Sequence, residues 1–182
     1  MSVLSWSGKV RFFCGDETRL RLKTLGGRKI TAKRVKPMKE VQWQFQATYL
    51  YGIVEPKTGE HFFFEFSHLN TSCFQAFLNL VSQQFKDELL IIQLDNGSFH
   101  KAKRLQVPSN IILLFQPPHC PELNPIEQVW QYLKRRLRWS LPTTLDELRQ
   151  QLRERLEALT PQVVASITAR HSILDALSVA GI

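Results

Sequence analysis

Two strongly apolar runs, LLIIQL at 89–94 and NIILLF at 110–115, constrain the fold of this chain more than any other feature. Each has the length of a strand, and neither alternates polar with apolar residues, as expected of strands buried on both faces. Strands of that kind belong inside a sheet with helices packed on it. The first run stops abruptly at Asp95-Asn96-Gly97, a turn-forming triplet.

The remaining segments supply the other parts of such a sheet. GKVRFFCG (8–15) is a short β-prone run that ends at Asp16-Glu17. The basic stretch that follows, centred on Gly26-Gly27 and stopping at Pro37, reads as a turn and then an exposed, partly extended segment. QWQFQATYLYGIV (42–54) and HFFFEFSHL (61–69), joined by EPKTGE, form a hairpin, with Trp43, Phe45 and Phe62-Phe63-Phe64 in the core. After Asn70, the residues Phe74, Phe77, Leu78, Val81 and Phe85 recur at helical spacing, with Ser72 and Gln75 placed as a capping box. A short polar helix is expected around 98–106. HCPELNPIEQVW (119–130) opens another helix, with Ile126, Trp130, Leu133 and Leu137 on its apolar side. There Asn124 suits the N-cap, Pro125 the first turn, and Glu127 the closing position of a capping box. Thr144 and Glu147 cap a further helix bearing Leu145, Leu148, Leu152, Leu156 and Leu159, and Thr160-Pro161 breaks it before a last short helix. The expectation is an α/β fold: a mixed sheet flanked by helices over residues 1–140, with a helical extension over 141–182.

Charge and composition narrow the partners. Of the net charge of +8, residues 1–40 carry 11 Lys/Arg against 3 acids, and residues 101–140 carry 7 against 2. Segregated positive charge attracts a polyanion, because each neutralised phosphate releases condensed counterions, although a solvated surface uses the same residues. No apolar run approaches the ~18 residues of a membrane span, and the first residues lack a secretory signal, so a cytoplasmic location without membrane contact is expected. The 3 cysteines form no CxxC, and His119-Cys120 has no second pair, which argues against a disulfide framework or a zinc site.

Three carboxylates occupy comparable places: Asp16 after the first strand, Asp95 after the most apolar strand, and Glu127 in the first turn of a helix. Each has an ordinary explanation as a strand end, a turn or a cap. They come together if the first strand lies beside 89–94. Clustered carboxylates repel one another in a low dielectric, and a divalent cation offsets that cost. Mg²⁺ prefers such oxygens and takes its remaining ligands from water and phosphate.

FFCGDET, LLIIQLDNGSFH and PPHCPELNPIEQVWQYLK resemble the catalytic domain of DDE-superfamily transposases, in particular bacterial insertion-sequence relatives of the mariner-like elements. The resemblance runs from about residue 8 to 140. It implies a ribonuclease-H-like fold in which Asp16, Asp95 and Glu127 are the catalytic residues and hold two Mg²⁺ ions, with Mn²⁺ able to substitute. It implies hydrolysis of a phosphodiester at a transposon end, then attack of the freed 3′-hydroxyl on target DNA. Relatives usually carry N-terminal helix-turn-helix modules, so this chain is expected to be a catalytic half or a remnant, partnered by a separate end-recognition protein and by a second copy as a homodimer. A remnant that binds DNA or a partner without turnover is the alternative expectation. Candidate DNA contacts are Lys101, Lys103 and Arg104, together with Lys134, Arg135 and Arg138, of which Lys134 and Arg138 share a helix stripe. Asn96 and His100 are accessory candidates. His100 faces either a substrate phosphate or a local hydrogen bond, and Trp130 is read as core.

Overall fold

The computed structural model describes residues 6, 8–23, 43–117, 123–138, 140 and 142–182, and leaves aside the side chains of Lys23, Trp43, Gln44 and Phe45. The basic segment around Gly26-Gly27, the core roles expected of Trp43 and Phe45, and the His119-Cys120 pair lie outside the described residues. The strands are β1 (Val10–Lys23), β2 (Trp43–Val54), β3 (His61–Phe66), β4 (Leu89–Leu94) and β5 (Ile111–Phe115). The helices are α1 (Thr71–Gln84), α2 (Ile126–Leu137), α3 (Leu145–Glu157), α4 (Pro161–Thr168) and α5 (His171–Val179). Among these described residues no helix is long and apolar enough to cross a membrane.

The five strands form one sheet in the order β3-β2-β1-β4-β5. The β1–β2 and β2–β3 pairs are antiparallel, whereas β1–β4 and β4–β5 are parallel, as joining by crossovers requires. This is the expected mixed α/β sheet, with the first strand beside 89–94.

One boundary differs from expectation in a way that matters for the site. β1 does not end before Asp16 but continues to Lys23, paired with β2. The reason is visible in TRLRLK: Thr18, Leu20 and Leu22 are buried while Arg19 and Arg21 are exposed, the period-2 pattern of a strand with one wet face. Beside β4, however, β1 pairs only as far as Cys14, opposite Gln93. The two central strands therefore run together and then fork, and Asp16 and Glu17 stand just past the fork.

Two apolar layers cover the sheet. On one face, Phe74, Phe77, Leu78 and Val81 of α1 pack on Phe13, Tyr51, Ile53, Ile92 and Leu94. On the other, α2 to α5 bring Trp130, Leu133, Leu148, Leu152, Val164 and Leu177 onto Cys14, Leu20, Leu50 and Val54. Each such side chain contributes roughly 1.5–3 kcal/mol on burial. The helices after residue 141 thus share a core with the sheet.

Other local departures have simple causes. α1 is capped by Asn70, whose Oδ1 accepts from Cys73 N at 2.9 Å, in place of the expected Ser72. No helix forms over 98–106, which folds as turns closed by His100 N to Gly97 O and Leu105 N to Ala102 O. Phe99 and Leu105 both pack against the α1-side core, and a spacing of six puts such a pair on different faces of a helix. The Phe62-Phe63-Phe64 run alternates: Phe62 packs on the α1 side, Phe63 against Trp130 at 5.6 Å, and Phe64 is exposed on the edge strand.

Candidate active site

Side chains alternate across a strand, so the neighbouring acids Asp16 and Glu17 point to opposite faces of the sheet. Asp16 points to the α2 side, where its Oδ2 accepts the indole N–H of Trp130 at 2.8 Å. The cross-strand partner of Asp16 is Gly52. A Cβ there would lie 2.5 Å from Phe63 Cδ1 and 2.7 Å from Trp130 Cη2, so glycine opens the space through which the indole reaches Asp16. Burial, then the charges of Glu17 and Glu127, push the Asp16 carboxyl up to about 8 against the opposing pull of the Glu17 backbone N–H and Trp130. A carboxylate so placed favours a proton or a cation beside it.

Glu127 reaches Asp16 because α2 is anchored to β1. Asn124 Nδ2 donates to Gly15 O at 2.9 Å, and this buried amide spans the gap between strand and helix. The capping box expected of Asn124 and Glu127 is absent: the cap position is Pro125 with no side-chain hydrogen bond, since the Asn124 side chain is turned to β1. The Asn124 carbonyl instead accepts from Glu127 N at 3.2 Å.

Glu17 points the other way, to the α1 side. His100 Nε2 lies 3.1 and 3.2 Å from its two carboxylate oxygens. The opposite ring nitrogen, Nδ1, is 2.9 Å from Asp95 Oδ1, close enough for an ion pair but out of line for a hydrogen bond. Asp95 Oδ1 also accepts from Gly97 N at 2.8 Å. Burial acts to lower the His100 imidazole, yet its contacts with Asp95 and Glu17 outweigh burial and raise it to about 9, so the ring is cationic at neutral pH. The Asp95 carboxyl is held low, first by His100 and then, against burial, by the Gly97 N–H. Burial raises the Glu17 carboxyl, opposed by His100.

The candidate acids therefore form two groups. Asp16 and Glu127 interact on the α2 side, while Asp95 is joined through His100 to Glu17 on the α1 side. The β1–β4 pairing ends at Cys14 opposite Gln93, two residues before Asp16 on one strand and two before Asp95 on the other. Among the described residues, no three His, Cys, Asp or Glu side chains stand close enough together to enclose an ion.

The polar surroundings are likewise divided. Asn96 Nδ2 donates to Gln116 O at 2.5 Å, tying the turn after β4 to the end of β5, and Lys101 Nζ donates to Asn96 Oδ1 and lies 4.7 Å above the Phe115 ring. Lys103 and Arg104 are exposed on the following turns. Along α2, Lys134, Arg135 and Arg138 line a groove of about 480 Å³ with Gln128, Gln131, Tyr132 and Ile167. Sequence reasoning took Trp130 only as core, Asn124 only as a cap, and gave Glu17 no role. The alternation of strand residues was the signal for Glu17, since adjacent acids in a strand must serve different faces.

Comparisons with known proteins agree with this architecture. Residues 11–149 match the family model described as DDE superfamily endonuclease. The chain is 34% identical over 87 residues to an uncharacterized protein, y4pE/y4sA, of Sinorhizobium fredii (strain NBRC 101917 / NGR234), covering 47% of this chain and 64% of that protein. In structure it is similar to a Mos1 transposase paired-end complex with left transposon end, at a TM-score of 0.65 and 16% identity, covering 87% of this chain and 51% of that one. It is similar also to the Mos1 mariner paired-end complexes with Mn and with Mg, at TM-scores of 0.66 and 0.62 and identities of 16% and 14%. These two alignments also cover 87% of this chain and 51% of the other, so the chain spans about half the length of the solved transposases it matches. Their ribonuclease-H-like fold is the fold seen here.

Proposed function

We propose, starting from the fact that the chain belongs to the DDE superfamily of endonucleases, that it is the catalytic portion of a transposase, which hydrolyses a phosphodiester at insertion-sequence ends and joins the freed 3′-hydroxyl to target DNA. The observation that carries this reading is the environment of Asp16: a carboxylate bound to Trp130 and pressed by Glu127 and Glu17, unfavourable as an isolated anion. The donor chemistry fits Mg²⁺, or Mn²⁺ in its place, because hard cations select carboxylate oxygens. Asp16, Asp95 and Glu127 would hold the ions, and the chemistry such ions supply is activation of the attacking oxygen and stabilisation of the leaving one.

The chain's own residues would do the positioning. Trp130 fixes Asp16 by one oxygen, Asn124 sets how far along β1 the first turn of α2 stands, and Asp95 keeps one oxygen for an outside ligand because its contacts fall on Oδ1 and its side chain is 52% exposed. Lys103, Arg104 and the groove residues Lys134, Arg135 and Arg138 would contact DNA phosphates, with Lys101 and Asn96 holding the turn next to Asp95. Residues 1–140 would form the catalytic unit and 141–182 a helical extension that covers it. A helix-turn-helix module would choose the ends, and a homodimer would bring two ends together.

A second reading, a DNA- or partner-binding remnant without turnover, is favoured by one observation: among the described residues no three candidate ligands enclose an ion. The experiment is nicking and joining of labelled transposon-end DNA, with Mg²⁺ or Mn²⁺. Wild type is expected to cut, with Asp16→Asn, Asp95→Asn and Glu127→Gln each slower by at least ~100-fold. Equal cutting by wild type and Asp95→Asn overturns the assignment. Salt-sensitive binding with no metal-dependent product establishes the second reading instead.

A further inference from the structure

We infer that Glu17 and His100 form a clamp that sets where the Asp95 carboxylate stands relative to Asp16, which makes both of them positioning residues. The inference rests on the reading of Asp16 and Asp95 as ion ligands. Its basis is the frame of β1. Asp16 is placed by the strand directly, whereas Asp95 lies on a turn beyond β4, at the point where β4 no longer pairs with β1. The neighbouring residue Glu17 closes that gap through the imidazole ring, since the two ring nitrogens face Glu17 and Asp95 respectively. The distance between the two aspartates is thereby referred to one peptide unit of a central strand.

The clamp is rigid. The side chains of His100 and Glu17 are 1% and 6% exposed, and the ring is held by Phe74 at 4.5 Å and Phe99 at 4.1 Å. Gly97 brings the turn in close: a Cβ there would lie 3.1 Å from both Asp95 Oδ1 and His100 Nδ1. Burying the Glu17–His100 pair costs desolvation that apolar residues of the same volume would not incur, so fold stability is a poor explanation for it. Fixing the orientation of a carboxylate is the use such outer partners have around ion ligands.

The Gly97 amide reports the clamp without any metal, because it donates to the same oxygen that His100 touches. In His100→Ala and Glu17→Ala its hydrogen exchange, followed by NMR, is expected to speed up by at least ~10-fold while the Val81 amide in the α1 core is unchanged. Mn²⁺ affinity, read from the spectrum of the free ion, is expected to fall by ~10-fold or more. Glu17→Gln preserves shape and folding and is expected to accelerate Gly97 exchange by about threefold. Unchanged Gly97 exchange in Glu17→Gln and the alanine variants overturns the clamp, as does equal acceleration at Gly97 and Val81. Mn²⁺ binding that is the same in wild type and Asp95→Asn refutes the ion-ligand reading alone, and the amide result still decides the clamp.

Discussion

Trp130 donates its indole N–H to Asp16 Oδ2 at 2.8 Å, so the side chain that fills the centre of one core layer also orients an acid at the fork of the sheet. Trp130→Phe keeps the aromatic character and removes the donor. The expected result is a loss of about 1–3 kcal/mol in urea unfolding, as for any buried partner left unsatisfied. Metal-dependent cutting is expected to fall by about 10-fold, the usual effect of losing an outer partner of an ion ligand. Cutting at the wild-type rate by the folded variant would show that the bond is dispensable.

Gly52→Ala places a methyl group against Phe63 and Trp130 with no room for it. Overpacking of this kind costs about 1–3 kcal/mol. Phe63→Leu in the same chain is expected to return most of the lost stability, because Phe63 on the neighbouring strand makes the nearest contact. Melting temperatures of the single and double variants check both statements, and a Gly52→Ala variant as stable as wild type contradicts the packing seen here.

The pH dependence of the metal-free protein has two parts. Asp16 is raised to about 8, chiefly by burial and then by Glu17 and Glu127, so its contribution to stability is full below the unfolded value of ~3.9 and is lost as pH rises through about 8. His100 is raised to about 9 by Asp95 and Glu17 in spite of burial, so its contribution is full below ~6.5 and lost as pH rises through about 9. Thermal melts in chelator are expected to fall across the whole range from about pH 4 to 9 in wild type, and to fall less steeply below about pH 8 in Asp16→Asn, where Glu17, also raised by burial, still contributes. Identical profiles for the two proteins would contradict the assignment of the lower part to Asp16.

Arg11 is buried at the far end of β1 among Glu55, Glu60 and Glu88, with Nη2 to Glu55 Oε2 at 2.6 Å and Nη1 to Glu88 Oε2 at 3.0 Å. Arg11→Met leaves the buried Glu55 without its counter-charge and is expected to cost about 3–5 kcal/mol in chemical unfolding, with partial recovery in Arg11→Met/Glu55→Gln. A neutral Arg11→Met would mean that solvent reaches the cluster.

If the α2 groove follows a phosphate backbone, replacing Lys134, Arg135 or Arg138 by Gln lowers the slope of log affinity against log salt by about 0.9 for each lost contact. Titrations on duplex DNA at several salt concentrations measure it. Unchanged slopes in all three would place the DNA elsewhere.

Much of the architecture was legible because burial writes itself into composition: β4 is an almost wholly apolar run, and α1 and α2 carry apolar residues at helical spacing. β5 reads the same way, yet it is an edge strand with Leu114 49% exposed, so the burial on both faces expected of it is not seen. That the strands leading to Asp16 and Asp95 are neighbours followed from putting the first strand next to 89–94. What was not legible was cross-chain pairing of polar groups. Asn124 has the identity of a cap, and only the nearness of the Gly15 carbonyl, 109 residues away, turns it into a tether. His100 five residues after Asp95 looks like any turn residue until β1 supplies Glu17. The length of β1 was missed for another reason: its outer half is rich in basic residues, whose charge obscured the buried Thr18, Leu20 and Leu22 on the alternate positions.

The alternation that separates Asp16 from Glu17 makes β1 intolerant of changes in length. One residue inserted between Val10 and Gly15 would turn every later side chain over, moving the first acid to the place that faces the histidine, glycine to the place opposite the indole, and the second acid one step beyond it. Homologues and engineered versions should therefore vary freely in the hairpin connection and in the amino acids chosen, while the count of residues leading up to the fork stays invariant.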